Sequence, residues 1–208
     1  KLNKPIILST GMSSFDEIEE SINLIKKHNK ELVVLHCTTN YPCPLNQVNL
    51  LAMLEIERKF NVLTGYSDHT EGIDVPIMAS SLGAVVIEKH FTLDKTMQGP
   101  DHKASLNPSE LKEMVSNIRT NVVLDIPKLV LGNKNKTISD EEKKISKMAR
   151  KSIIAKTDLN KDVILTNDLL IIKRPGTGIA PKELHKVLGK KTKKFILKDS
   201  LISWDDLE

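Results

Sequence analysis

Apolar residues fall in two alternating rhythms along the first 125 positions. A short apolar run at 5–11, Pro-Ile-Ile-Leu-Ser-Thr-Gly, has the length and ending of a buried strand. Ile18, Ile22 and Ile25 then recur at helical spacing behind Ser14 and Glu17, a pair spaced as a capping box. The unit repeats with strands expected at 32–38, 62–68 and 84–91, and helices at about 47–59 and near 73–82. The fourth helix is the most clearly signalled. Asn107 can cap it, Pro108 suits its first position, Glu110 completes the box, and Leu111, Met114, Val115, Ile118 and Val122 form its stripe.

Four successive strand–helix units predict a parallel sheet with helical crossovers. A (β/α)8 barrel needs about 250 residues, so these units suffice for half of one, with an open doubly wound sheet as the competitor. After residue 125 the texture changes. A lysine-rich stretch with Ser139 and Glu142 opening a short polar helix reads as a linker over 125–150. Short apolar segments between turn residues at 152–155, 162–165, 170–173 and 195–197 then predict a small, mostly β domain over 151–208. The domains expected are thus 1–124, a linker, and 151–208.

Composition narrows the function classes. The 208 residues carry 31 basic and 27 acidic side chains, a net +4, with most lysines set between acidic neighbours. That argues against a nucleic-acid partner and against a membrane surface. No apolar run approaches the roughly 18 residues of a membrane span, so a cytoplasmic location is expected. Cys37 and Cys43 lack a Cys-x-x-Cys spacing and read as free thiols in a reducing compartment.

Parallel β/α architectures bind ligands beyond the carboxyl ends of their strands, where this chain places several polar groups. The third strand ends Ser67-Asp68-His69-Thr70 and the fourth Glu88-Lys89-His90. Alternation sends Ser67 and His69 one way, and Glu88 and His90 one way, so two imidazoles can converge. Two neutral histidines suit a divalent metal and leave coordination positions for water and substrate; the competing reading is one hydrogen-bonded and one solvated histidine. Asp101, in Gly99-Pro100-Asp101-His102, is either a sugar-facing carboxylate or part of a turn. Ser9 closes the first strand, and Thr39, Asn40 and Tyr41 follow the second with groups suited to a sugar. His36 reads as a packed core histidine. Arg174, beside Pro175 and Gly176, is either a forked donor or a solvated side chain.

Taken together, Leu35-His36-Cys37-Thr38 with Tyr41-Pro42, Gly65 to Thr70, Ile87 to Asp94, Gly99 to His102 and Lys173 to Gly176 resemble the N-acetylneuraminate (sialic acid) synthase family, in the same order. The resemblance spans nearly all of the chain. It implies a (β/α)8 TIM barrel followed by a SAF (antifreeze-like) domain, with the strands here matching barrel strands five to eight. It implies condensation of phosphoenolpyruvate with an N-acetylated hexosamine, N-acetylmannosamine or a relative, to give a nonulosonic acid and phosphate. His69 and His90 match ligands of Mn2+ or Mg2+, Ser9 and Ser67 match phosphoenolpyruvate contacts, and Tyr41, Asp101 and Arg174 match sugar contacts. Thr39 or Asn40 takes the polar position before Tyr41, and Glu88 is matched to a catalytic or orienting role. The resemblance also implies a domain-swapped homodimer in which Arg174 serves the partner's site. The family's first four strands and their phosphoenolpyruvate-gripping lysines lie outside this sequence, so an incomplete site is expected. A noncatalytic sugar-binding or regulatory remnant is the alternative.

Overall fold

The computed structural model describes residues 4–208; the first three residues of the expected 1–124 domain lie outside it. The chain divides into two compact units, Lys1–Glu142 and Lys143–Glu208.

In the first unit the strands β1 (Ile6–Ser9), β2 (Leu32–Cys37), β3 (Leu63–Asp68) and β4 (Ile87–Lys89) form one sheet in the order β1-β2-β3-β4, every neighbouring pair parallel. The connections carry α1 (Phe15–Lys26), α2 (Leu50–Phe60) and α3 (Asp74–Ser81), and α4 (Pro108–Arg119) follows β4. The caps anticipated from sequence for α1 and α4 are present. Ser14 Oγ accepts from the Glu17 amide at 3.3 Å, and Asn107 Oδ1 accepts from the Glu110 amide at 3.0 Å; in each case the glutamate returns the bond. These bonds satisfy amide groups that a helix start otherwise leaves without acceptors.

The core of this unit lies between sheet and helices. Ile18 and Ile22 of α1 and Ile56 of α2 pack on Leu32 and Val34, while Met53, Tyr66, Val75 and Ala79 form a second cluster. Gly65 sits where β3 meets β4. A Cβ there would lie 2.3 Å from the Val86 carbonyl oxygen and 2.6 Å from Leu35, so the position admits no side chain. The stripe of α4 is less buried than its spacing suggests: of its expected members Met114 alone is buried, and Val122 lies beyond the helix end. An edge helix covers less of the sheet, and periodicity reports a face without reporting what covers it.

The lysine-rich stretch after residue 125 differs from a free linker. α5 (Lys128–Leu131) inserts Val130 into the second core cluster, and both Lys136 and Glu142 are buried within the first unit. The unit boundary falls inside α6 (Asp140–Ala149). An apolar insertion of three residues among lysines is too short to register as a periodic element.

In the second unit, β5 (Ser152–Ala155) and β6 (Leu170–Lys173) pair antiparallel. The other two expected strands are reduced to single bridges, Ile164 with Lys191 and Leu159 with Ile196. Ile153, Leu159, Leu165, Ile179, Val187 of α7 (Leu184–Val187) and Ile202 make the core. Thr192 closes the fold from within, its hydroxyl donating to the Asn160 carbonyl at 2.6 Å and accepting from the Val163 amide at 3.0 Å.

Two buried polar features carry energetic consequences. Lys89 and Asp68 face each other across β3 and β4, with Nζ 2.5 Å from Oδ2 and the two side chains 2% and 0% exposed. Asp68 also accepts from the amide and hydroxyl of Thr70, and Lys89 donates to the Thr70 carbonyl. Removing one partner strands a charge in the interior. Lys89→Met should therefore lower the unfolding free energy by about 3–5 kcal/mol in urea titrations. Adding Asp68→Asn should recover much of that loss, because neither charge then remains.

His36, as its sequence setting suggested, is a core residue. Its Nε2–H donates to the Val48 carbonyl at 2.9 Å, and Nδ1 is buried with no hydrogen-bond partner among the described residues. Burial, reinforced by Lys136, lowers its pKa from 6.5 to about 3. The unfolded chain thus takes up this proton below pH 6.5 while the folded chain does not, and stability falls as pH falls through that window. A His36→Gln variant, which keeps a donor for Val48, should show a shallower loss between pH 6.5 and 4, by about 1.4 kcal/mol per pH unit. Urea midpoints measured at several pH values check this.

Candidate active site

The polar groups of the first unit gather at the carboxyl edge of the sheet. In register terms Cys37, Ser67 and Glu88 share one row across β2, β3 and β4, and Ser9, Leu35 and Gly65 form the row two residues earlier. Within the first row Ser67 donates to the Glu88 carboxylate at 2.6 Å. The residues that follow the strands carry the rings.

His69 and His90, leaving β3 and β4, bring their ring centroids to 5.0 Å at 81°. Tyr41, from the loop after β2, stacks on His90 at 4.2 Å and 24° and presents an edge to His69 at 5.5 Å and 90°. The loop is held there by the Cys43 amide, which donates to the His69 carbonyl at 2.7 Å. The far end of Tyr41 is fixed as well. Its hydroxyl donates to the Asp101 carbonyl at 3.0 Å and lies 3.0 Å from Ser105 Oγ. Ser105 in turn donates to the same carbonyl at 2.7 Å, so the loop after β4 is bonded to the loop after β2.

The two imidazoles differ in environment. His69 Nδ1 lies 2.7 Å from the Thr38 carbonyl, which accepts a hydrogen bond from Nδ1–H, so that in the neutral ring Nε2 keeps its lone pair. Burial pulls the His69 pKa down, but Cys37, the Thr38 carbonyl and Asp68 together outweigh it and hold it above its ordinary value. For His90, burial and then the proximity of His69 lower the pKa, against Asp101, whose carboxylate lies 3.9 Å from Nδ1. Tyr41 is raised, chiefly by burial.

This donor set fits a cation that takes the rest of its ligands from water or a substrate. The Nδ1–H of His69 is bonded to a backbone carbonyl, the arrangement that orients a metal-ligating imidazole. Among the described residues no group of three or more His, Cys, Asp or Glu is arranged to hold a metal, so the pair would supply a minority of the ligands. His102 turns to Thr92, 2.8 Å from its Oγ1, and is not a third member.

Of the residues singled out from sequence, Tyr41, Ser67, His69, Glu88, His90 and Asp101 come together. Ser9 is exposed at the end of β1, and Thr39 follows β2 at the same edge. Arg174, in the second unit, donates from Nε to the Ala149 carbonyl at 3.0 Å. Cys37 and Cys43 are both free and buried, and burial pushes the Cys43 thiol up to about 12, so it stays protonated. Sequence reasoning did not find Ser105, the Thr38 carbonyl, or the Lys89–Asp68 pair beside the histidines. Only the position of Asp68 and Lys89 next to the two histidines could have signalled the last. Among the described residues no helix is long and apolar enough to cross a membrane.

Comparisons with known proteins agree with this architecture. Residues 1–125 match the NeuB family and residues 150–208 the SAF domain. The chain is 47% identical over 97% of its length to the N,N'-diacetyllegionaminic acid synthase of Campylobacter jejuni, of which it covers 60%. It is 34% identical over 97% of its length to human N-acetylneuraminate-9-phosphate synthase, covering 55% of that protein. The crystal structure of a spore coat polysaccharide biosynthesis protein from Bacillus subtilis aligns with the whole chain at a TM-score of 0.89 and 32% identity, the chain covering 62% of it. The chain thus spans about 60% of the length of such relatives. With a family match over most of its first unit, a second match over its last 59 residues and relatives that are nonulosonic acid synthases, this chain belongs to the NeuB family and carries a SAF domain.

Proposed function

We propose that this chain supplies the metal-facing and sugar-facing half of an active site that condenses phosphoenolpyruvate with an open-chain N-acetylated hexosamine. The products are a nonulosonic acid and phosphate. The observation that carries this reading is the three-ring cluster of Tyr41, His69 and His90, bonded to the Asp101 loop, at the carboxyl edge of a parallel sheet. Names of relatives support the reaction class: legionaminic, pseudaminic and N-acetylneuraminate-9-phosphate synthases.

In this reading His69 and His90 hold Mn2+ or Mg2+ through ring nitrogens. When bound, such an ion supplies Lewis-acid polarisation of the sugar aldehyde. Tyr41 fixes the rings, and its own face and the Asp101 carboxylate, 57% exposed, are available to sugar hydroxyls. Ser9 and Ser67 act as hydroxyl contacts to phosphoenolpyruvate, with Thr39 beside the sugar. Glu88, held by Ser67, serves as a carboxylate able to orient or deprotonate a water as phosphate leaves. Further β/α units are proposed to complete the barrel. Ile7 lies on the face of β1 opposite Ile6 and Leu8, which pack toward α1, and at 55% exposure it leaves that face open for the interior of a completed barrel.

The test of the metal assignment is titration of Mn2+ into His69→Ala and His90→Ala variants of the full-length enzyme, with phosphate release assayed in parallel. Each substitution should weaken Mn2+ binding by about tenfold or more and remove most turnover. Wild-type metal affinity in both variants would overturn it. Sugar binding without any phosphate release in the unsubstituted protein would favour the noncatalytic remnant.

The proposal extends to a homodimer in which Arg174 of one subunit contacts the sugar in its partner. Its support is the resemblance of Lys173 to Gly176 to the family's motif. Mixing His90→Ala with Arg174→Ala subunits should restore activity, up to about half the wild-type level per mixed dimer if sites act independently. If Arg174 serves its own chain, mixing restores nothing.

A further inference from the structure

The lysine-rich stretch that follows α5 contains a glutamate buried to 2% exposure, and its carboxylate is spent on backbone groups from three separate segments. Glu142 Oε1 accepts from the Met12 amide at 3.1 Å and from the Thr39 amide at 3.0 Å. Oε2 accepts from the Ser139 amide at 3.2 Å, and the Glu142 amide returns a bond to Ser139 Oγ at 3.1 Å. Nearby, Lys136 is 7% exposed and donates to the Cys37 carbonyl at 3.0 Å, so an ammonium accompanies the buried carboxylate.

The two amides on Oε1 belong to the loops that leave β1 and β2. Met12 has a φ of 58°, in the left-handed region that a methionine adopts only when its surroundings hold it there. One residue earlier, Gly11 approaches Thr39 so closely that a Cβ would lie 2.2 Å from Oγ1. The loop after β1 carries Ser9 at its start, and the loop after β2 carries Thr39 and Tyr41. A single carboxylate therefore sets the spacing between two loops, while its own burial keeps it from touching a substrate.

We infer that Glu142 is a positioning residue: through the Met12 and Thr39 amides it holds the strand-end loops of β1 and β2 in the arrangement that presents Ser9, Thr39 and Tyr41 to the substrates. This rests on the proposed function for its kinetic consequence and on geometry alone for the staple. An ionised carboxylate suits the task because it accepts from three amides and donates to none. A glutamine of the same size turns one acceptor into an NH2 group, which meets either the Met12 and Thr39 pair or Ser139 as a donor facing donors.

The test is Glu142→Gln in the full-length enzyme, read by amide hydrogen exchange and by steady-state kinetics. Exchange at Met12 and Thr39 should be at least about tenfold faster, with the amides of Ile22 and Met53 unchanged. The KM values for phosphoenolpyruvate and sugar should rise about tenfold with kcat changed much less, and Glu142→Asp should give an intermediate result. Faster exchange with unchanged kinetics in an active enzyme overturns the positioning role. Unchanged exchange overturns the staple itself, whether or not the unsubstituted chain is active. An unsubstituted full-length enzyme with no condensation activity would defeat the proposed function, while faster exchange in the variant would still support the staple. If neither variant folds, Glu142 serves stability and not positioning, and the inference falls.

Discussion

The ion pair between Lys89 and Asp68 is the constraint on which the first unit's site depends. Both side chains are buried, and each is the immediate neighbour of a histidine, His90 or His69, that turns to the other face. Charge in the interior is costly unless paired and hydrogen-bonded, and this pair is completed by the amide, hydroxyl and carbonyl of Thr70. The shortness of β4, three residues, gives few ladder bonds with which to hold its register. A slip of one residue would move Lys89 away from Asp68 and leave both charges unpaired, so the pair fixes the relative height of the strand ends. The distance between the two imidazoles follows from that height.

On this base the loops are added by bonds between backbone and side chain. Cys43 ties the loop after β2 to His69, Tyr41 and Ser105 tie it to the loop after β4, and Glu142 ties it to the loop after β1. Loops positioned by a rigid sheet are where β/α proteins carry their chemistry. Here the loops brace one another, with Glu142 added from outside them. Tyr41 does two things at once: its ring face fills the space against His90, and its hydroxyl reaches the Asp101 carbonyl, which suits an amphipathic ring with one apolar and one polar end.

The second unit reaches a closed core with few ladder hydrogen bonds. Its two-stranded pair is supplemented by single bridges, by the buried Thr192 and by isolated backbone bonds between segments distant in sequence, such as the Ala155 amide to the Ser200 carbonyl and the Lys193 amide to the Asp206 carbonyl. Short segments between frequent turns cannot sustain longer ladders, which is why two of its expected strands shrink to a bridge each.

What the sequence determined by itself was local. The β/α order, the capping boxes at Ser14 and Asn107, the core character of His36 and the common direction of Ser67 with His69 and of Glu88 with His90 all depend on residues within one or two turns of one another, where spacing specifies geometry. The tertiary structure decided the rest. That Tyr41 stacks on His90, that Lys89 finds Asp68, that Val130 packs in the core and that Glu142 reaches back 130 residues to Met12 depends on which surfaces meet after folding. Spacing along the chain carries no record of such contacts. A buried charge in a lysine-rich stretch looks like any solvated one until its partners arrive, and Glu142, legible only as a cap partner of Ser139, acquired its other two amides solely through the fold.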